Sequence, residues 1–219
     1  MPPHSWPVPG PPWRAEEHEV ARWCRLLAES GIPADPTDLD LAPPGVAPSV
    51  PVATVVHVGA AAAARRWPGD RFAAVARALE DAGHCVVLTG VDAERPPAMA
   101  VAVSAGLPAD RVLAGRLGLQ QMAALVAAAR LVVCGDTGVA HLATAYGIPS
   151  VLLFGPMSPA LWGPPPTRRQ HRVLWHPEYA AAPDPGGVPH PALLAIGVRE
   201  VLDAVQALEP DVLTPPRSR

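Results

Sequence analysis

From residue 52 onward the chain alternates between short apolar runs rich in β-branched residues and longer segments in which apolar positions recur every three or four residues. The runs at 52–58, 85–89, 111–114, 131–134 and 150–154 are nearly continuous in apolar character, the pattern of strands buried on both faces. Helical spacing fills the gaps between them, at 68–82, 93–105, 119–129 and 137–146. The first of these places Phe72, Val75, Ala76 and Leu79 on one side and stops at Gly83. In the second, Pro96 and Pro97 must lie within the first turn, where a missing N–H costs nothing, or delay the start of the helix. A sixth strand at 172–175 and a closing helix at 193–208 complete the series. Strands and helices in strict alternation with short connections give an α/β fold: a Rossmann-like, doubly wound parallel sheet with right-handed crossovers.

The ends differ in character. Residues 15–30 place Val20, Trp23, Leu26 and Leu27 at helical spacing and end at Gly31, and a proline-rich linker follows to residue 51. The organisation expected is therefore a tail at 1–13, a helix and linker at 14–51, the nucleotide-binding type of domain at 52–209, and a tail at 210–219. Thirty prolines, crowded at the two ends and through 156–191, mark loops and tails.

Composition narrows the function classes. Hydrophobic residues make up 49% and charged residues 17% of the 219, as in folded globular chains. The net charge of -3 lacks the dense positive field of a nucleic-acid or anionic-membrane binder, so phosphate binding must be local. Cys24, Cys85 and Cys134 are too scattered for a disulfide framework or a zinc site and fit a reducing compartment. With no signal-type N-terminus and no apolar run long enough to span a membrane, a cytoplasmic location is expected.

In open sheets of this kind ligands gather outside the carboxyl ends of the strands. The run from Leu131 to Gly135 leads there into Asp136, Thr137, Gly138 and His141, a strand entering a helix whose first-turn N–H groups and macrodipole attract anions. Thr137 and His141 stand four residues apart, on one face. The plainer alternative is an N-cap at Asp136 or Thr137 with a structural histidine. After the first strand, Arg65 and Arg66 offer a guanidinium fork for phosphate oxygens, or else a solvated pair beside Trp67. No P-loop, no G-x-G-x-x-G, no G-x-S-x-G and no H-E-x-x-H is present.

A set of blocks in order carries a resemblance: 56–60, Arg65-Arg66-Trp67-Pro68 with Arg71-Phe72, 87–90 with Glu94, 113–116, 135–143, 153–156, and Trp162-Gly163. Together they resemble the C-terminal domain of glycosyltransferase family 9, the heptosyltransferase family, over about residues 52–208, and the helix at 17–31 resembles the segment that precedes it. The resemblance implies the C-terminal half of a GT-B fold that binds a nucleotide-sugar donor such as ADP-heptose. It further implies inverting transfer to a glycan or glycolipid acceptor of the lipopolysaccharide type, without an obligatory metal. By position it assigns the diphosphate to Asp136, Thr137, Gly138 and His141, with Arg65 in place of the family's lysine and Arg66 beside it. The nucleoside falls to Gly90, Glu94, Arg116, Leu117 and Leu119.

Three departures stand out. Val58 replaces the usual proline, alanine stands at 60 and 61 where a phosphate-binding hydroxyl is common, and arginine for lysine keeps charge but alters geometry. The family's N-terminal domain, which binds acceptor and supplies the catalytic aspartate, has no counterpart before residue 52, so the catalytic base is left unassigned. The expected chain is thus a donor-binding half that transfers sugar poorly alone, as a truncated frame or as a subunit relying on a separate N-terminal-domain chain. A non-catalytic nucleotide or phospho-sugar binding module is the alternative. An apolar patch over 20–27 and 201–208, with self-association, is expected where that domain would pack, and the acceptor implies a position at the inner face of the membrane.

Overall fold

The computed structural model describes residues 11–208; the tail at 210–219 and all but the last three residues of the tail at 1–13 lie outside the described residues. Its framework is a wholly parallel sheet of β1 (Thr54–His57), β2 (Val86–Thr89), β3 (Leu131–Gly135), β4 (Ser150–Leu153) and β5 (His171–Leu174), in the order β2-β1-β3-β4-β5. β1 pairs with β2 and β3 in the same register, Thr54 with Val86 on one side and with Leu131 on the other. All residues of the first four strands are buried, as near-continuous apolar runs require.

Alternate strand residues feed two cores. Val56, Leu88, Val133 and Val151 face α2 (Gly69–Asp81), α3 (Arg95–Ala105) and α9 (Val198–Gln206). Val55, Val87, Val132 and Leu152 face α4 (Leu119–Ala127) and α5 (Gly138–Ala145). The sheet is therefore doubly wound. α1 (Glu19–Glu29) precedes it, and α6 (Pro159–Trp162), α7 (Pro177–Ala180) and α8 (Pro191–Ala195) are short helices in the irregular region after β4.

Two elements differ from expectation. The segment 111–114 is no strand: a 3₁₀ turn at Ala109–Arg111 uses up its start, and only a parallel bridge from Val112 to Leu88 remains beside β2. The single closing helix is two, α8 and α9, parted at Ile196 and Gly197, where Ile196 is extended. Trp67 Nε1 donates to the Ile196 carbonyl at 3.1 Å, and Arg71 Nη1 donates to the carbonyls of Leu194 and Ile196, both at 2.7 Å. The break thus has partners for the backbone groups that a continuous helix would have satisfied.

The apolar patch also divides. α1 has no buried residue, and Trp23 is 60% exposed. On the last helix Val201, Val205 and Leu208 are buried against the sheet, so that half of the expected patch belongs to the core.

Candidate functional site

β1 and β3 are neighbours whose following helices lie on opposite faces of the sheet, so a crevice opens beyond their carboxyl ends. Two turns meet in it. The first leaves β1 through Gly59 and closes in a 3₁₀ turn at Ala63–Arg65, anchored below by buried Trp67 and held by the His190 N–H, which donates to the Ala64 carbonyl at 3.1 Å. The second is the exit of β3. A Cβ on Gly135 would stand 3.4 Å from the Arg65 carbonyl oxygen, so the first turn packs directly over the end of β3.

This stacking brings Arg65 to Asp136, with Nη1 3.8 Å from Oδ2. Burial pushes the Asp136 carboxyl above its ordinary value, and Arg65 and His141 pull it back, so the guanidinium and the imidazole both act on the one carboxylate. Thr137 is the N-cap of α5, yet its hydroxyl makes no cap hydrogen bond; the buried Oγ1 faces the Cys134 thiol instead. Gly138 opens the helix, and a Cβ there would meet nothing within 4 Å. The mouth of α5 is open, with a hydroxyl not used in capping, a guanidinium and an exposed imidazole around it.

Burial raises the Cys134 thiol to about 12, leaving it inert just behind the mouth.

A second group lies beside the first. Glu94 is buried, accepts the Val91 N–H at 2.8 Å, and fills the space that side chains at 59 and 90 would need. A Cβ on Gly59 would fall 1.8 Å from Glu94 Oε2, and one on Gly90 2.9 Å from it. Gly59 and Glu94, with Phe72, Pro97 and the distant Gly187 and Pro189, wall a cavity of about 260 Å³. His57 backs this group, with Nδ1 3.0 Å from Thr89 Oγ1, and burial holds the imidazole below its ordinary value against the opposing pull of Glu94.

Of the residues expected at the site, Arg65, Asp136, Thr137, Gly138 and His141 come together, and Gly90 and Glu94 form the adjoining group. Arg66 stands apart from the Arg65–Asp136 group, since its Nε donates to the Ala60 carbonyl at 2.9 Å, and its side chain lines the Glu94 cavity instead. Arg116 is exposed, Leu117 packs against the α4 and α5 core, and Leu119 is 81% exposed, so none of them walls the Glu94 cavity. Sequence reading missed Gly59, Gly187 and Pro189 as wall residues. The signal for Gly59 was its place at a strand end; the other two lie far along the chain and carried none. Among the described residues no group of three or more His, Cys, Asp or Glu is arranged to hold a metal ion.

Comparison with known proteins bears on the family and the fold. The chain is 38% identical over 114 residues to lipopolysaccharide heptosyltransferase 2 of Escherichia coli K12, covering 51% of this chain and 32% of that one. It is 34% identical over 154 residues to lipopolysaccharide heptosyltransferase 1 of Pseudomonas aeruginosa, covering 67% of this chain and 42% of that one. It thus spans between a third and a half of the length of these relatives. The solved structure of E. coli ADP-heptose lps heptosyltransferase II superposes with a TM-score of 0.63 at 29% identity, over 74% of this chain and 48% of that one. A glycosyl transferase family 9 structure from Veillonella parvula, at 24% identity and a TM-score of 0.62, shares the fold, over 74% of this chain and 47% of that one. The model of glycosyltransferase family 9 (heptosyltransferase) matches residues 8–186. The chain belongs to glycosyltransferase family 9.

Proposed function

We propose that this chain binds the nucleotide-sugar donor of a heptosyl-type transfer to a glycan or glycolipid acceptor, and that the mouth of α5 holds the diphosphate. The observation that carries this reading is the convergence of Arg65 and His141 beside the Thr137 hydroxyl, which is not used in capping, on an open helix start at Gly138. Relatives named as lipopolysaccharide heptosyltransferases and a neighbour named for ADP-heptose support the substrate class.

In this mechanism the diphosphate oxygens accept from the first N–H groups of α5, from Thr137 and from the Arg65 fork. As the bond from the anomeric carbon to the diphosphate breaks, charge grows on the leaving oxygen, and these fixed donors favour that state over the ground state. His141 offers a ring N–H to the same oxygens. No metal is obligatory, since the guanidinium, imidazole and backbone donors take up the leaving-group charge. Inversion then needs attack from the opposite face of the sugar by an acceptor hydroxyl, with a base supplied from outside residues 11–208. Glu94 and Gly90 meet the nucleoside side. The acceptor class places the chain at the inner face of the cytoplasmic membrane, and no described helix is long and apolar enough to cross one.

Titration calorimetry of the full chain with ADP, other nucleoside diphosphates and nucleotide-sugars tests this. Binding that favours the intact nucleotide-sugar and weakens about tenfold or more in Arg65→Ala is expected. No binding by any of these ligands overturns the reading.

A further inference from the structure

A second cavity, of about 350 Å³, runs along α5 from His141 in its first turn to Ala145 and shares no wall residue with the Glu94 cavity. Val20 and Trp23 of α1 form one wall, Ala145 of α5 another, and Trp162 with Pro164 a third. Its size is at the lower end of the range for small-molecule pockets. The polar groups in its walls are already engaged. His18 accepts the Val20 N–H at Nδ1, 3.2 Å away, which leaves Nε2 as the donor to the Gly163 carbonyl at 3.0 Å. Glu19 is ion-paired with Arg22, and Thr144 donates to the Ala140 carbonyl at 3.1 Å.

His141 differs. It lines this cavity, its ring 6.4 Å from that of Trp162, and it also acts on Asp136 at the diphosphate mouth. The imidazole is therefore the shared edge of an apolar cavity and an anion site. A ligand that fits both has an anionic head and an apolar body attached directly to it. Charge complementarity sets the head: Arg65 offsets the Asp136 carboxylate, and the start of α5 adds its positive dipole end beside the His141 ring. The 60% exposure of Trp23, on a helix that buries no residue, sets the body, because such a chain would cover that indole.

We propose that this cavity and the α5 mouth together bind a single-chain alkyl phosphate, with its chain between Trp23 and Trp162 and its phosphate on the anion site. This rests on the assignment of the mouth as an anion site and adds a second ligand class that excludes the nucleotide. Octyl phosphate and ethyl phosphate are the probes, titrated into the full chain by calorimetry. Octyl phosphate binds about tenfold or more tightly than ethyl phosphate, because the added methylenes leave water. Trp23→Ala removes that advantage, Trp23→Phe restores much of it, and neither changes ADP affinity more than about twofold, because Trp23 is exposed and lies off the diphosphate. ADP displaces octyl phosphate from the wild-type chain.

Equal affinity for the two phosphates, an octyl advantage untouched by Trp23→Ala, or simultaneous binding of ADP and octyl phosphate overturns the proposal. Binding to vesicles of phosphatidate without binding of octyl phosphate also overturns it, by moving recognition to a lipid surface. If octyl phosphate behaves as expected while neither ADP nor a nucleotide-sugar binds, the cavity stands and the donor reading falls.

Discussion

A side chain added at position 138 would enter open space, whereas one added at position 59 would collide with the carboxylate of Glu94, so two glycines of one crevice separate ligand binding from folding. Gly138→Val should leave the thermal midpoint within about 2 °C of wild type, since valine and glycine differ little in helix propensity and nothing is displaced. The isopropyl group would nevertheless occupy the space a diphosphate needs, and nucleotide affinity should fall about tenfold or more by calorimetry. Gly59→Ala acts the other way. Its methyl group expels Glu94 from a buried position and breaks the bond to the Val91 N–H, so urea unfolding should show a loss of about 1–3 kcal/mol. The grouping of Asp136, Thr137, Gly138 and His141 was legible because a helix start fixes their directions from a short stretch of local sequence. Glu94 over Gly59 was not legible in the same way, since that contact depends on β1 and β2 lying side by side. Arg66 shows the limit of adjacency: two neighbouring arginines in a turn point apart, and one is spent on the Ala60 carbonyl.

At the scale of elements, consecutive apolar runs located β1 to β4 because strands buried on both faces favour apolar residues, and the polar ones they hold, Thr54, His57, Thr89 and Ser150, are hydrogen-bonded to neighbouring side chains. The segment 111–114 reads the same way and still fails to join the sheet, because its pairing depends on how much chain the preceding turn consumes. The division of the last helix was equally hidden. What holds it is Trp67 and Arg71, from the other end of the fold, bonding to Leu194 and Ile196. Trp67→Phe keeps a buried ring and removes only the indole N–H. Arg71 still serves the Ile196 carbonyl, so the expected loss is about 1 kcal/mol in urea unfolding, whereas Trp67→Ala, which also leaves a void beside Phe72, should cost about 3 kcal/mol or more. Equal losses in the two variants would mean that the hydrogen bond, rather than packing, fixes the break.

For the whole molecule, the buried histidines that tie the sheet together make its stability depend on pH. His171 on β5 pairs with the Ser150 hydroxyl of β4 at 2.8 Å, and burial, aided by Arg168, lowers its imidazole to about 4. His57 is lowered by burial in the same direction. Below the unfolded value near 6.5 the unfolded chain takes up a proton at each of these sites that the native chain refuses, so unfolding gains protons and stability falls with falling pH. The contribution of His171 is fully present above about pH 6.5 and lost as the pH drops toward 4, amounting to about 3 kcal/mol. Asp136 opposes this, since its raised carboxyl takes up a proton in the native state first, and His176, raised by its bonds to Glu200 and Glu178, also favours the folded form in acid. His171→Asn removes one site and leaves the opposing groups in place. Urea unfolding at pH 7 and pH 5 should therefore show a smaller decline for this variant than for wild type, whatever its stability at pH 7. An identical decline in both would mean that His171 is protonated at its ordinary value, and that the β4–β5 edge opens to water in solution.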